Sequence, residues 1–313
     1  MKYWAGVTDN GWFEYLSHAD VDEVNFWQPR GKATFAGLQP GSPFLFKLKK
    51  PFNHIAGGGY FVKSTSLPLS IAWEAFGQKN GAQSRQVFEG MIRRLITDPR
   101  VRDPEIGCTV LSEPFFWPRE LWISEPEGFA GSIVRGRYYS TSEPAEANLW
   151  NQVQQRLDSR DVWRQRHLAA EPSSEADPVE RYGTPVLVKP RLGQGAFRVV
   201  VTDAYRRRCA LTGESTLPVL EAAHIVPFAE GGPHDVSNGL FLRSDFHKLF
   251  DLGMVTVTPD FHVEVSPRIR EDWFNGKAYY RLHGLPLTNL PASIAERPSP
   301  DLLRWHNDNR FQH

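Results

Sequence analysis

The stretch Glu221–Asp251, EAAHIVPFAEGGPHDVSNGLFLRSDFHKLFD, decides how the second half of the chain folds. It starts within LEAAHIVPF, a short apolar run that predicts a strand ending at a proline. The glycine-rich segment GGPHDVSNGL follows as a loop, and FLRSDFHKLFDLG carries a helix that its final glycine can end. His224, Asn238 and His247 are therefore predicted on a strand, after a loop and on a helix.

These three residue types suit hydrolysis of a phosphodiester around one divalent metal ion. A neutral imidazole titrates near neutral pH, so it can take a proton from water. A divalent cation can polarise a phosphoryl oxygen and stabilise the departing oxygen. The order histidine, asparagine, histidine thus predicts a metal-assisted phosphodiesterase site.

The same residues, with the flanking strings AHIVP, SNGL and HKLFD, resemble the HNH endonucleases. Members of that family have a core of two antiparallel strands, a loop and a helix around a metal ion. The resemblance covers about residues 191–267 and implies that His224 is the general base and His247 a metal ligand. It also implies that Asn238 either orients the His224 ring through its side-chain carbonyl or contacts the metal. The expected cofactor is one divalent ion, and Mg, Mn, Ni and Zn all remain open.

Two positions depart from the family pattern. Many relatives carry an aspartate or histidine directly before the general base, where this chain has Ala223. Asp251 lies four residues after His247, on the same helix face, and is the candidate second ligand. Glu221, on the same strand face as Ala223, could replace the missing ligand, and His234 in the loop is another possibility.

The second departure concerns cysteine. Many relatives hold a structural zinc with two cysteine pairs, whereas the string CALTG keeps only Cys209. No structural zinc is therefore expected. The chain has two cysteines in all, which disfavours a disulfide framework and favours the cytoplasm. Neither a signal peptide nor a membrane-spanning apolar run is evident, so no membrane partner is expected.

Basic side chains near the core are predicted to contact DNA phosphates. The formal net charge is zero, which by itself argues against a nucleic-acid binder. Between residues 181 and 250, however, there are nine Lys/Arg and only six Asp/Glu. An acidic linker offsets this surplus of positive charge in the net charge of the chain. Each of these basic or polar side chains could instead belong to an ordinary solvated surface. The candidates are Arg191, Gln194, Arg198, Arg243 and Lys248.

The first half reads as mixed α and β. Apolar runs such as YWAGV, FLFKL, GYFV and LWI are bounded by Gly and Pro, as strands are. LSIAWEAFG and SRQVFEGMIRRLI read as helices. The second of these is expected to have one apolar face, made of Val87, Met91, Ile92, Leu95 and Ile96.

The strings EVNFWQP, LQPGSPFLFKL and IAGGGYF resemble the PUA superfamily in its broad sense, including its EVE, ASCH and SRA-like branches. The resemblance covers about residues 1–150 and implies a small β-barrel with attached helices. Such domains often hold a modified or flipped base in an aromatic pocket. Burial in a core is the alternative for each tryptophan. The candidate pocket residues are Trp27, Gln28, Tyr60, Trp73 and Trp117.

The predicted fold class is α+β in three parts. Residues 1–150 form the PUA-like barrel, 151–185 a helical and acidic linker, and 186–313 the ββα-metal nuclease domain. This order resembles that of modification-dependent (type IV) restriction endonucleases, so the expected partner is double-stranded DNA carrying a modification. A single HNH site makes one cut, so a homodimer is one way to break both strands. The alternatives are a nuclease or nickase that ignores modification, and a DNA-binding protein made inactive by Ala223.

Overall fold

The computed structural model describes residues 1–29, 35, 37–96, 101–126, 128–168 and 192–313, with the backbone alone over 159–168. The chain divides into two units. Unit 1 comprises Met1–Leu69 and Phe76–Pro190, and unit 2 comprises Ser70–Ala75 and Arg191–His313. Both helices and strands occur in the described parts of the two units, in agreement with the predicted α+β class. Residues 169–185 of the predicted linker lie outside the described residues.

Unit 1 is built on one seven-stranded sheet. Its strand order is β2-β5-β4-β3-β1-β7, and β6 pairs with β4 off this path. The β1–β3 pair is parallel, and the other pairs are antiparallel. The strands are β1 (Lys2–Thr8), β2 (Glu23–Gln28), β3 (Pro43–Leu48), β4 (His54–Pro68), β5 (Glu105–Phe116), β6 (Ile123–Ser124) and β7 (Gly136–Ser140).

This sheet is open, which corrects the closed PUA-like barrel expected from the sequence. In the described part of the chain, β2 and β7 stand at opposite ends of the strand order and do not pair. The segment Gly77–Asn80 lies against β2 instead. There the Asn25 side chain donates to Asn80 Oδ1 at 2.8 Å, and Trp27 Nε1 donates to the Asn80 carbonyl at 3.0 Å.

The glycine run in β4 permits close packing of two strands. The β4–β5 ladder shifts register between Gly58 and Tyr60 and again between Phe61 and Lys63. A Cβ at Gly57 would lie 2.2 Å from the Phe115 carbonyl oxygen, so no larger residue fits there without a backbone shift. The string IAGGGYF is therefore a close-approach segment within a long strand.

Three α-helices complete the described part of unit 1. The Asp9 side chain caps α1 by accepting from the amides of Gly11 and Trp12. No helix in the described part of the chain combines the length and apolar character that a membrane crossing needs. The helices of unit 1 are α1 (Asn10–Ser17), α3 (Arg85–Arg93) and α4 (Pro144–Leu168), whereas α2 (Leu69–Phe76) spans the segment Ser70–Ala75 that groups with unit 2.

The apolar face predicted for α3 is confirmed only at Ile92, with Met91 half-buried. Its buried residues are Phe88 and Ile92, whereas Val87 is 38% exposed. Leu95 lies beyond the helix end and is 53% exposed. The helix is shorter than the periodic pattern, so the last apolar positions of that pattern have no helical face to share.

Unit 2 contains a two-stranded sheet that packs between two helices. It also contains a separate β-hairpin. Strand β8 pairs antiparallel with β9, and both contact helices α5 and α6. Strands β10 and β11 pair antiparallel in a hairpin whose turn contains Pro259 and Asp260. The elements are α5 (Gln194–Ala204), β8 (Leu220–His224), β9 (Gly239–Arg243), α6 (Ser244–Asp251), β10 (Val255–Val257), β11 (Val263–Val265), α7 (Arg268–Trp273), α8 (Lys277–Tyr280) and α9 (Pro300–Asn309).

The core of unit 2 joins these elements by burying large apolar side chains. Phe197 of α5, Phe241 of β9, and Phe246 and Phe250 of α6 are each at most 2% exposed. Burial of a side chain of this size contributes about 1.5–3 kcal/mol. The two strands and the two helices are therefore fixed relative to one another, and they carry the polar residues described next.

Candidate functional site

His224 stands at the end of β8, opposite Gly239 of β9. Its ring stacks on the ring of Phe197, with centroids 3.8 Å apart and planes 9° from parallel. Burial, and to a lesser extent the nearby His234 and His247, lower the pKa of His224 to about 4. The imidazole is therefore neutral at pH 7, the state that a proton acceptor requires.

A second histidine, His234, lies beside His224. The two ring centroids are 6.2 Å apart and the ring planes are perpendicular. The ring centroids of Phe228 and His234 are 4.2 Å apart. Within the described residues, Nε2 of His224 and Nδ1 of His234 are buried and have no hydrogen-bond partner. A buried polar atom without a partner is costly, so this pair of nitrogens suits a polar ligand.

Glu221, His247 and Asp251 form a chain of contacts between β8 and α6. Oε2 of Glu221 lies 2.6 Å from Nδ1 of His247, and Nε2 of His247 lies 3.5 Å from Oδ2 of Asp251. With Nδ1 donating to Glu221, neutral His247 presents its Nε2 lone pair toward the Asp251 carboxylate. Two facing lone-pair donors suit a cation between them.

This donor set fits a divalent ion in part. A tetrahedral site with bonds of 2.0–2.1 Å places its ligands about 3.4 Å apart, close to the separation of His247 and Asp251. Glu221 then holds the ring in place, as a carboxylate behind a metal-bound histidine does. In the part of the chain that is described, no group of three or more His, Cys, Asp or Glu residues is arranged to hold a metal. Further ligands would have to be water or substrate oxygens, which is common for magnesium.

Asn238 is completely buried and braces the loop between β8 and β9. Its Oδ1 accepts from the Val226 amide at 2.9 Å, and its Nδ2 donates to the carbonyls of Val226 at 2.9 Å and Pro233 at 3.0 Å. The side-chain carbonyl expected at the His224 ring is therefore bonded to backbone instead. Asn238 therefore fixes the backbone that leaves β8 just after His224.

Of the predicted phosphate-binding residues, two are paired with carboxylates and two are exposed without being described as paired. Arg198 pairs with Glu74 at 2.9 Å, and Arg243 makes two bonds of 2.7 Å to Asp245, which raises the pKa of Arg243. Gln194 begins α5 and is exposed, as is Lys248 on α6. Arg191 lies outside the described residues.

In unit 1, two of the five predicted pocket residues lie together. Trp27 and Gln28, at the end of β2, line a cavity of about 630 Å³. Tyr60 is half-buried on β4, and Trp73 is half-buried on α2 in a segment that groups with unit 2. Trp117 is 3% exposed and packs on Phe115. These three do not line the cavity.

Several residues at these places were not expected from the sequence. The Phe197 ring under His224 reads in the sequence as an ordinary apolar helix position. Met91, Arg94 and Arg135 line the cavity beside Trp27, although they are distant in sequence. Only the unusual mixture of apolar and basic residues in GMIRRLI could have drawn attention to Arg94.

Comparison with known proteins matches residues 209–258 to the HNH endonuclease family. Among solved structures, a modification-dependent restriction endonuclease, TagI, matches at 14% identity over 99% of this chain and 81% of that chain, with a TM-score of 0.27. A TM-score this low does not establish a common fold. No match was found among curated proteins. The matched range includes Glu221, His224, Asn238, His247 and Asp251, so residues 209–258 form an HNH endonuclease domain.

Proposed function

We propose that this protein is a metal-dependent endonuclease that cuts DNA carrying a modification. One observation carries the nuclease assignment. A neutral histidine with an unpartnered buried nitrogen, His224, shares an HNH domain with the facing donors of His247 and Asp251. A proton acceptor and a cation-binding pair are the two components that hydrolysis of a phosphodiester needs.

In this proposal, Nε2 of His224 accepts a proton from the attacking water. The water oxygen bonds to phosphorus, and the bond from phosphorus to the 3′ oxygen breaks. The 3′ oxygen then takes up a proton, which leaves a 5′-phosphate and a 3′-hydroxyl. Stacking on Phe197 fixes the plane of the His224 ring, so the acceptor lone pair keeps one direction.

His247 and Asp251 would hold the divalent ion, and Glu221 would orient His247. When bound, the ion supplies positive charge at the scissile phosphate and at the departing oxygen. The lysine at 248 is exposed on the same helix and can contact a neighbouring phosphate. Arg198 and Arg243 would have to leave their carboxylate partners to do so.

Selection of modified DNA is assigned to unit 1. Support comes from the cavity beside Trp27 and Gln28, since an aromatic wall and an amide suit a base. A nuclease that cuts only marked DNA acts as a restriction enzyme without a partner methyltransferase. One site makes one cut, so a double-strand break requires two chains or two successive cuts.

The test compares cleavage of matched duplexes in several divalent metals. The duplexes contain cytosine, 5-methylcytosine, 5-hydroxymethylcytosine or one phosphorothioate linkage. We expect metal-dependent cutting of at least one modified duplex, no cutting in EDTA, and loss of cutting in His224→Ala. His262→Ala, which alters an exposed histidine elsewhere in unit 2, should cut normally.

Three outcomes would contradict parts of the proposal. Equal cutting of every duplex would leave a nuclease or nickase that ignores modification. Equal activity of His224→Ala and wild type would remove His224 as the general base. Binding without cutting in all metals would leave a DNA-binding protein with an inactive HNH domain.

A further inference from the structure

Two large aromatic side chains are exposed where helix α7 ends. Trp273, the last residue of α7, is 58% exposed, and Phe274, which follows it, is 90% exposed. Among the described residues, no large apolar side chain is more exposed than that of Phe274. Two such residues in succession indicate a surface that a partner covers.

The backbone holds Phe274 in a conformation that its side chain disfavours. Its φ of 56° and ψ of 20° lie in the left-handed region, where a bulky residue is rare and glycine or asparagine is usual. Asn275 and Gly276, which suit this conformation, follow at the next two positions. The phenylalanine therefore costs folding free energy at a place where it adds nothing to the core, which is typical of a functional position.

The turn after α7, residues 273–276, is fixed to the core of unit 2, and we call it the aromatic turn. The Phe274 amide donates to the Arg270 carbonyl at 2.9 Å. A Cβ at Gly276 would lie 2.7 Å from Cγ2 of Ile269, so the backbone of the turn packs directly on this buried side chain. The turn therefore presents its two rings from a fixed backbone.

Basic side chains flank the aromatic turn. Between residues 267 and 284 there are four Lys/Arg and two Asp/Glu. Arg268 is paired with Asp272 at 3.2 Å. Arg270, Lys277 and Arg281 are exposed, and no ion pair to them occurs in the described part of the chain. Unpaired cations of this kind attract a polyanion.

The aromatic turn is connected to the helix that carries the candidate metal ligands. Tyr279 of α8 meets Phe246 of α6 edge-on, with ring centroids 5.3 Å apart. Helix α6 also carries His247 and Asp251. Helices in direct contact lie about 8–10 Å apart, whereas one turn of duplex DNA is about 34 Å long. A duplex bound at α6 is therefore long enough to reach the aromatic turn.

The exposed aromatic area suits insertion into DNA better than association of two chains. A Phe or Trp side chain covers roughly 150–250 Å², so the two supply at most about 500 Å². A stable interface buries about 800 Å² from each partner. One apolar side chain is enough, however, to enter a base step of DNA and kink the duplex by roughly 20–90°. The unpaired cations would also repel a second copy and attract phosphate.

We propose that the aromatic turn is a wedge that enters DNA. The ring of Phe274 inserts between two base pairs from the minor groove, and Trp273 covers the neighbouring sugars. Arg270, Lys277 and Arg281 contact the phosphates on either side. Insertion partly unstacks the base step and bends the duplex. The inference rests on the proposed function only for its ligand, DNA, and goes beyond it by adding a DNA contact outside the catalytic site.

The experiment uses full-length His224→Ala protein in EDTA, so that no duplex is cut. The duplexes carry cytosine, 5-methylcytosine or 5-hydroxymethylcytosine and a fluorescent dye at each end. Energy transfer between the dyes measures bending, and fluorescence anisotropy measures affinity. We expect energy transfer to rise when a duplex binds. Phe274→Asn should abolish this rise and weaken binding about 5–100-fold, as loss of one ring stacked on a base does.

Phe274→Asn is chosen because asparagine suits the left-handed backbone, so the melting temperature of the protein should not fall. Phe274→Leu keeps an apolar wedge and should keep the bend. Ile294→Asn is the matched control, since Ile294 is 80% exposed in the same unit but outside the turn, and it should bind and bend DNA as the parent does. Arg270→Ala combined with Lys277→Ala and Arg281→Ala should lower the salt dependence of binding by about one phosphate contact per residue.

Three results would overturn the proposal. These are binding without bending for every duplex, unchanged bending and affinity in Phe274→Asn, and an unchanged salt dependence in the triple variant. If Phe274→Asn also turned a dimer into a monomer while bending stayed the same, the turn would be a contact between two copies.

The wedge and the proposed function can fail separately. Metal-dependent cutting of modified DNA by the wild type, with every bound duplex unbent, would remove only the wedge. Bending that depends on Phe274, with no cutting by the wild type in any metal, would remove the nuclease and leave the wedge. No binding of any duplex would remove both.

Discussion

Oε2 of Glu221 lies 2.6 Å from Nδ1 of His247, and this contact joins strand β8 to helix α6. In the tautomer whose Nδ1 donates to this carboxylate, Nε2 is the lone-pair donor, and it lies 3.5 Å from Asp251. Glu221 thus sets which nitrogen of His247 is available to a cation. In the proposed metal site, Glu221 would therefore orient a histidine ligand, and it lies two residues before Ala223, where many relatives carry a ligand.

Replacing Glu221 with glutamine should weaken metal binding about 10–100-fold, the usual effect of losing a carboxylate behind a metal-bound histidine. Glutamine keeps the size but not the charge, and its amide group can face Nδ1 in either orientation. The measurement is the metal concentration that gives half-maximal cleavage, together with calorimetric titration of the metal without DNA.

Asp251→Asn should weaken metal binding at least as much, since Asp251 faces the free lone pair directly. Glu264→Gln is the control, because Glu264 is a strand glutamate of β11 outside the site. Unchanged metal affinity in both Glu221→Gln and Asp251→Asn would show that the metal does not bind at α6.

The stack of His224 on Phe197 gives a second prediction. Phe197→Leu keeps an apolar but smaller side chain, at a cost in stability of roughly 0.5–3 kcal/mol, and removes the flat ring. The imidazole loses its fixed plane, so kcat should fall about 10–100-fold while KM for DNA changes little. Phe261→Leu, at a half-buried position in the same unit, is the control. A larger KM with unchanged kcat would show that Phe197 serves DNA binding instead.

The sequence predicts the strand and helix that carry the site better than it predicts the contacts between the side chains of the site. Local apolar patterns and turn residues, which act over a few positions, predict the strand with His224 and the helix with His247. The stack on Phe197 depends on α5 docking beside β8, a contact between residues 27 positions apart. The bonds of Asn238 depend on a loop path that no short pattern encodes. The packing of the segment Gly77–Asn80 against β2 is also a long-range contact.

Asn238 provides a prediction that separates a loop-bracing role from a metal contact. Its Nδ2 faces the carbonyl oxygens of Val226 and Pro233. Asn238→Asp places an oxygen against both, so it should destabilise unit 2 by more than the 1–3 kcal/mol or so expected of Asn238→Ala. Denaturant unfolding and cleavage rates measure the two effects. If Asn238 were a metal ligand, aspartate would be tolerated, and full activity of Asn238→Asp would contradict the bracing role.

The remaining prediction concerns His306 of α9, which is 2% exposed and holds the end of α6. Its Nε2 donates to the Phe250 carbonyl at 3.1 Å, and its Nδ1 accepts from the Thr256 hydroxyl at 2.8 Å. These are the bonds of a neutral imidazole, and its ring stacks on Phe250. Burial lowers the pKa of His306 to about 4 from an ordinary value of 6.5.

Because unfolded His306 binds a proton below about pH 6.5 and folded His306 only below about pH 4, unfolding takes up a proton between these values. The contribution to stability is therefore complete above pH 6.5 and falls by roughly 3 kcal/mol as the pH drops to 4. His306→Gln should be less stable at pH 7 but lose less stability on acidification. Hydrogen exchange of β10 and α9 amides measures this in a His224→Ala background, because the lowered pKa of His224 acts in the same direction. His262→Gln is the control, and parallel stability curves for His306→Gln and its parent would contradict the assignment.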